Sequence, residues 1–273
     1  MGTLFSMTDT RLDAAVAAVG LARSRNHAAQ LIADGVVRVD GIAQVKASFR
    51  VREGQALSVD GDDGYVSRAA GKLVAALDAF PSVVVDGRLA LDAGASTGGF
   101  SQVLLERGAR QVIALDVGHG QLAPIIAGDP RVSVVEGFNV RFATAEKVAA
   151  AARVDESPSL VVGDLSFISL ITVLPALQQV ATPDADFVLL VKPQFEVGRT
   201  GIKEGIVKNA GLRGEAVSAV LWSAHDLGLG TVGVAPSPVI GTAGNKEYLI
   251  HLSATVGTNP TQWLDAVTRM TGV

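Results

Sequence analysis

The chain has 273 residues, 48% of them hydrophobic and 18% charged, which supplies a substantial core and argues against a disordered chain. Acidic residues outnumber basic ones, 27 to 23, so a nucleic-acid partner has to be met by a local basic face and not by the chain as a whole. The absence of cysteine removes disulfides, thiolate zinc sites and cysteine nucleophiles together, and fits a reducing compartment.

His27, His119, His225 and His251 show no metal-ligand spacing, and no metal site is expected. The segment from Met1 to Thr10 lacks a basic region followed by an apolar block, and no apolar run approaches the roughly 18 residues of a membrane span. A cytoplasmic protein without a membrane partner is expected.

In chain order, Arg11 to Val19 has helical spacing and stops at Gly20, and Ser24 can cap a second helix over Arg25 to Ala33 before Gly35. Val36 to Val39 reads as a strand, Asp40-Gly41 is a strong hairpin signal, Ile42 to Val45 returns, and Leu57 to Val59 closes a small sheet. The run Arg11-Leu12-Asp13, with Ala22-Arg23-Ser24-Arg25, Gly35 to Gly41 and Val51-Arg52-Glu53-Gly54, resembles the small RNA-binding domain of ribosomal protein S-four. That resemblance implies RNA binding, with Arg11, Arg23, Arg25 and Lys46 at the places that carry basic residues to phosphates. Taken without it, the same charges read as a solvated helix surface.

Gly61-Asp62-Asp63-Gly64 is polar and free of apolar periodicity. The expected organisation is a small α+β RNA-binding domain over 1–60, a linker over 61–66 and an α/β domain over 67–273. Ser67 offers a cap for a helix that Pro81 stops, and Lys72 in its first turns reads, on residue type alone, as a solvated charge.

Leu89 to Asp92 is an apolar strand feeding Ala93-Gly94-Ala95-Ser96-Thr97-Gly98-Gly99-Phe100, a loop small enough for a ligand to approach the backbone. Dinucleotide binding needs G-x-G-x-x-G, and serine stands where the second glycine should be. A G-x-S-x-G nucleophile elbow fits letter for letter, but His225 and His251 lie inside a helical and a strand pattern, poorly placed for a triad. S-adenosylmethionine presents no phosphate, so this loop suffices for it. The strand Val112 to Asp116 ends in a carboxylate about 20 residues on, where adenosine ribose hydroxyls bind in such sheets. The other reading of Asp116 is a loop cap.

Strands follow at Val132 to Glu136, Leu160 to Asp164 and Phe187 to Lys192, with helices at Ala143 to Ala152, Ile168 to Val180 and Asn209 to Leu227. Thr231 to Val234 and Lys246 to Leu252 are joined too tightly for a crossover helix, so the sheet is expected to end in antiparallel pairing, as a Rossmann-like methyltransferase sheet does. Phe195 to Gly205, with Arg199 and Lys203, reads as a mobile cleft-side loop, and Trp222 as a core residue.

Asp164 and Lys192 end apolar strands, the edge at which open α/β sheets bind ligands. Lys72, Asp164, Lys192 and Glu247 resemble the Lys-Asp-Lys-Glu tetrad of FtsJ-type ribose 2′-O-methyltransferases, and with the N-terminal module the chain is similar end to end to the TlyA family of rRNA cytidine 2′-O-methyltransferases.

The resemblance implies those four residues as catalytic, Asp92, Gly94, Ser96, Gly98, Gly99 and Phe100 as the cofactor loop, and Asp116 and Phe167 beside the adenosine. It implies S-adenosyl-L-methionine as cofactor and rRNA or ribosomal subunits as partner. Lys192 would accept the ribose hydroxyl proton or stabilise the oxyanion, with Asp164 and Glu247 orienting the lysines. No metal is called for, since the leaving group is a neutral thioether. The alternatives are a membrane-active haemolysin, a name some members carry, and a non-catalytic RNA-binding protein.

Overall fold

The computed structural model describes residues 3–4, 10–22, 24–59, 64–198, 201–241 and 244–273. It divides into two compact units, Met1–Tyr65 and Val66–Val273. Arg23, Arg199 and the stretch 60–63 lie outside the described residues.

The first unit runs β1 (Thr3–Leu4), β2 (Thr10–Arg11), α1 (Leu12–Ala18), α2 (Arg25–Ala33), β3 (Val37–Val39), β4 (Ile42–Ala43), β5 (Arg50–Val51) and β6 (Ala56–Val59). Leu12, Val16, Ala28, Ile32, Val37 and Leu57 fill its core. Ser24 caps α2 as expected, its Oγ accepting from His27 N at 3.2 Å. Asp40 and Gly41 both have positive φ, 51° and 80°, the turn in which an Asp-Gly pair joins twisted strands. Asp40 then accepts from Ala56 N at 2.8 Å and from Gln55 Nε2 at 2.7 Å, which fastens the hairpin to β6. Strands β1, β2 and β5 are two residues each, too short for alternation to reveal them.

The second unit contains α3 (Ala70–Ala79), β7 (Leu89–Ala93), α4 (Gly99–Glu106), β8 (Gln111–Leu115), α5 (Pro124–Ala127), β9 (Val132–Val135), α6 (Ala145–Ala152) and β10 (Leu160–Gly163). It continues with α7 (Leu170–Val180), β11 (Asp186–Val191), α8 (Pro193–Glu196), α9 (Ala210–Asp226), β12 (Gly230–Pro236), β13 (Tyr248–Ser253) and α10 (Leu264–Thr271). The seven strands are ordered β12-β13-β11-β10-β7-β8-β9. Pairing is parallel from β9 to β11 and antiparallel at β11/β13 and β12/β13, as the terminal hairpin implied.

Every residue of β7, β10 and β11 is buried, which is why these strands read as continuous apolar runs without alternation. The chain leaves β7 toward β8 and β9 and returns to β10 on the other side of β7. The carboxyl ends of β7 and β10 therefore flank the switch point, where a crevice opens.

At the amino end of β11, Asp186 is paired with Arg88 Nη1 at 2.6 Å and with the buried His251 Nε2 at 2.9 Å. That pairing spends His251 at the sheet edge opposite Ser96, and the nucleophile-elbow reading lapses. Trp222 corrects the sequence reading: it is 37% exposed on α9, edge-on to His225, and is no core residue.

Candidate active site

Four charged side chains from four segments meet at the carboxyl edge. Asp164 follows β10 and Lys192 follows β11, so both leave buried strands at the crevice. Glu247 precedes β13. Because β13 runs antiparallel, with Tyr248 opposite Val191, its start lies at the same edge as the end of β11. Lys72 comes from the first turn of α3 and is only 7% exposed, so its reading as a solvated charge is overturned. Residue type gave no sign of that burial; the fold imposes it. The helix start differs as well: Ser67 does not cap it, but accepts from Ala69 N at 3.2 Å in the turn before Ala70.

The approach of α3 depends on Gly99. A Cβ there would lie 3.0 Å from both Ala70 N and Ser67 Cβ, so a larger residue would push the segment carrying Lys72 back from the first turn of α4 by a few tenths of an ångström. Gly241 makes similar room, since a Cβ on it would meet Glu247 Oε1.

The four groups form a line of alternating charge. Glu247 Oε2 is 2.8 Å from Lys72 Nζ, Lys72 Nζ is 3.0 Å from Asp164 Oδ2, and Asp164 Oδ1 is 2.7 Å from Lys192 Nζ. Lys192 Nζ also donates to Ser166 Oγ at 2.8 Å. Burial pushes the Asp164 carboxyl up, but the charges of Lys192 and Lys72 outweigh it and hold it below the usual carboxylate range. Ser166 was missed in the sequence because a serine near a strand end is unremarkable as a type; only its bond to Lys192 marks it.

Two cavities share Gly94, Ser96, Asp164 and Ser166 in their walls. One, of about 220 Å³, is lined by the tetrad together with Gly99 and Phe100. The other, of about 520 Å³, has walls from Leu115, Asp116, Val117, Phe138, Leu165 and Phe167. At Gly94, φ is +85° and a Cβ would come 3.1 Å from Leu165 Cδ2, so the backbone there is bare and close to the β10 loop. Ser96 holds the left-handed conformation at φ 47°, and its amide donates to Asp116 Oδ2 at 2.8 Å, while Gly118 N donates to Oδ1 at 2.7 Å. Asp116 is thus a loop clamp as well as a wall of the larger cavity.

The structure does not place every loop residue at a cavity. Asp92 is fully buried beneath the loop, its Oδ2 accepting from Ser101 Oγ at 2.7 Å, and burial lifts its carboxyl to about 7. Gly98 caps α4 at φ +97° and faces Leu122 and Ile126. Both hold the loop's shape from behind and line neither cavity. Phe167 projects outward, 92% exposed, with its ring 5.4 Å from that of Phe195. Of the expected loop Phe195 to Gly205, Phe195 and Glu196 belong instead to the helical turn Pro193–Glu196.

In the N-terminal unit, Arg11 and Arg25 converge on Asp13, at 3.0 and 3.2 Å, and this holds the Asp13 carboxyl down at about 2. Their outer faces remain exposed, as does Lys46.

The FtsJ-like methyltransferase family matches residues 65–254, and the S4 domain matches residues 10–57. The chain is 53% identical, over 89% of both chains, to the 16S/23S rRNA (cytidine-2′-O)-methyltransferase TlyA of Mycobacterium tuberculosis. The chain belongs to the TlyA family of FtsJ-like methyltransferases. Hemolysin A of Brachyspira hyodysenteriae is 37% identical over 88% of this chain and 98% of its own. A solved structure described as a hemolysin from Streptococcus thermophilus superposes with a TM-score of 0.76 at 35% identity, covering 97% of this methyltransferase and 96% of that chain.

The hemolysin names find no support in a membrane-spanning element: among the described residues no helix is long and apolar enough to cross a bilayer. No group of side chains among them could hold a metal ion.

Proposed function

We propose that this methyltransferase carries a methyl group from S-adenosyl-L-methionine to the ribose 2′-hydroxyl of a cytidine in rRNA, of the small subunit, the large subunit or both, and that its S4 domain docks the RNA. The observation that carries the reading is the line Glu247–Lys72–Asp164–Lys192 in the wall of the smaller of two adjoining cavities.

The larger cavity fits an adenosine: apolar walls from Val117, Phe138 and Leu165, with the Asp116 carboxylate at one side. Gly94, Ser96 and Phe100, with no side chain beyond Cα at Gly94, would hold the amino-acid end beside the tetrad. Bound there, the cofactor supplies an electrophilic methyl on a sulfonium.

A ribose hydroxyl is a weak nucleophile, and Lys192 is the group placed to change that. In its neutral form Lys192 Nζ takes the hydroxyl proton as the oxygen attacks, and Asp164 Oδ1 and Ser166 Oγ receive the resulting ammonium without rearrangement. Lys72, held by Glu247, ties the other oxygen of Asp164 and fixes its plane. Two cations and two carboxylates balance, so the site buries no net charge when Lys192 is protonated.

Incubating the protein with methyl-labelled cofactor and undermethylated small or large ribosomal subunits should label at least one of them, and nucleotide mapping should find a 2′-O-methylcytidine. Label on base carbon or nitrogen, or none on any rRNA, would overturn the reading. For the S4 domain, Arg25→Ala should lower the slope of log affinity against log salt by about 0.7, one phosphate contact on single-stranded RNA. An unchanged slope removes Arg25 from the contact set.

A further inference from the structure

We propose that Glu196 is a positioning residue that holds Lys192 in reach of the substrate hydroxyl by clasping the two active-site loops together. The inference rests on the methyl-transfer reading above, and names a residue outside the tetrad.

Glu196 ends α8, one turn after Lys192, and lines neither cavity. Its carboxylate is nonetheless fully engaged, and with the other loop. Oε1 accepts from Leu170 N at 2.8 Å, and Oε2 accepts from Ser169 Oγ at 2.5 Å. Ser169 is the cap of α7, its Oγ also accepting from Ile171 N at 3.1 Å, so Glu196 grips the start of that helix. The helix start is the far end of the 164–169 loop, whose near end carries Asp164 and Ser166.

The two loops are therefore joined at three successive points. Lys192 meets Asp164 and Ser166, Phe195 meets Phe167 at 5.4 Å between ring centres, and Glu196 meets Ser169 and Leu170. Between the first and last points Phe167 sits at φ 63°, in the left-handed region that phenylalanine seldom adopts. Burial raises the Glu196 carboxyl and its hydrogen bonds oppose that rise, which fits a half-buried group held between the loops. Releasing the clasp frees α8 to drift, and a displacement of about 1 Å at Lys192 is enough to cost a hundredfold in an in-line transfer.

The test compares wild type with Glu196→Ala, Glu196→Gln and Ser169→Ala. In Glu196→Ala, kcat for methyl transfer should fall about tenfold or more, with RNA KM and cofactor Kd within about twofold of wild type. Glu196→Gln, which can still accept from Leu170 N, should recover most of the loss, and Ser169→Ala should add little to Glu196→Ala. Hydrogen exchange at the Phe195 and Val197 amides, which donate to Lys192 O and Pro193 O, should quicken in Glu196→Ala. A folded Glu196→Ala with wild-type kcat, or a loss confined to KM or cofactor Kd, overturns the proposal; should that variant not fold, Ser169→Ala decides it by the same split. Wild type that labels no rRNA defeats the functional reading instead, and the exchange measurement then judges the clasp alone: unchanged protection overturns it.

Discussion

Lys192→Ala should lower methyl transfer by about a thousandfold, within the range that a positioned acid–base group supplies, while cofactor affinity stays within about twofold. The separation is expected because Lys192 touches Asp164 and Ser166, whereas most of the larger cavity's wall comes from the segments around Asp116, Phe138 and Leu165. Lys192→Arg distinguishes two ways of helping the oxygen. A guanidinium keeps the positive charge but does not release its proton, so it supports oxyanion stabilisation and not proton acceptance. Failure of Lys192→Arg to restore turnover assigns Lys192 as the base; substantial rescue assigns it as the electrostatic partner. Single-turnover rates with saturating cofactor, beside calorimetric titration of cofactor, give both readouts. Near-normal turnover of Lys192→Ala would remove Lys192 from the chemistry.

The outline of the fold was legible because the strands that position the site are long apolar runs bounded by turn residues. Leu89 to Asp92, Leu160 to Asp164 and Phe187 to Lys192 each announce a buried strand ending in a charge, and all three end at the crevice. The terminal hairpin was legible from the lack of room for a crossover, and it explains how Glu247 reaches the same edge. What was not legible depends on approach between segments distant in sequence. Lys72 looked solvated because nothing in Ala70 to Ala79 says that α3 lies against the bare backbone of Gly99. The burial of Asp92 under Ser101 was not legible either, because it is set by the turn into α4 and not by the motif that Asp92 begins. Glu196 lay in a stretch with glycines and charges that reads as open loop, and only Ser169 and Leu170, 27 and 26 residues earlier, show its use. Helix α10 went unread as well, although buried Arg213 on α9 donates to Thr271 O at 2.7 Å and anchors its end.

Asp92 and Asp164 end or follow adjacent strands, yet their carboxyls move in opposite directions, and this gives the second large effect. Burial, aided by the nearby charges of Asp164 and Asp116, lifts Asp92 to about 7. Asp164, nearly as enclosed, is held low because Lys192 and Lys72 flank it. For Asp92 the folded state binds the proton more tightly than the unfolded chain, so stability falls as pH rises from about 4 to about 7 and then levels off. The rise to about 7 corresponds to about 4 kcal/mol in all. For Asp164 the sign is reversed: its contribution is present above the unfolded carboxylate value and is lost as pH falls through the lower folded one. Denaturant unfolding of wild type and Asp92→Asn from pH 4.5 to 8.5 separates the two, because the difference between the proteins cancels Asp164 and keeps Asp92. That difference should move in favour of Asp92→Asn up to about pH 7 and stay constant beyond. A flat difference over the whole range would mean that Asp92 is ionised throughout, and that the unpartnered Oδ1 beneath the glycine loop has found a donor in solution. The expected outcome instead makes Asp92 a neutral acid below about pH 7, which leaves Asp164 as the carboxylate at the switch point whose charge serves the lysines throughout.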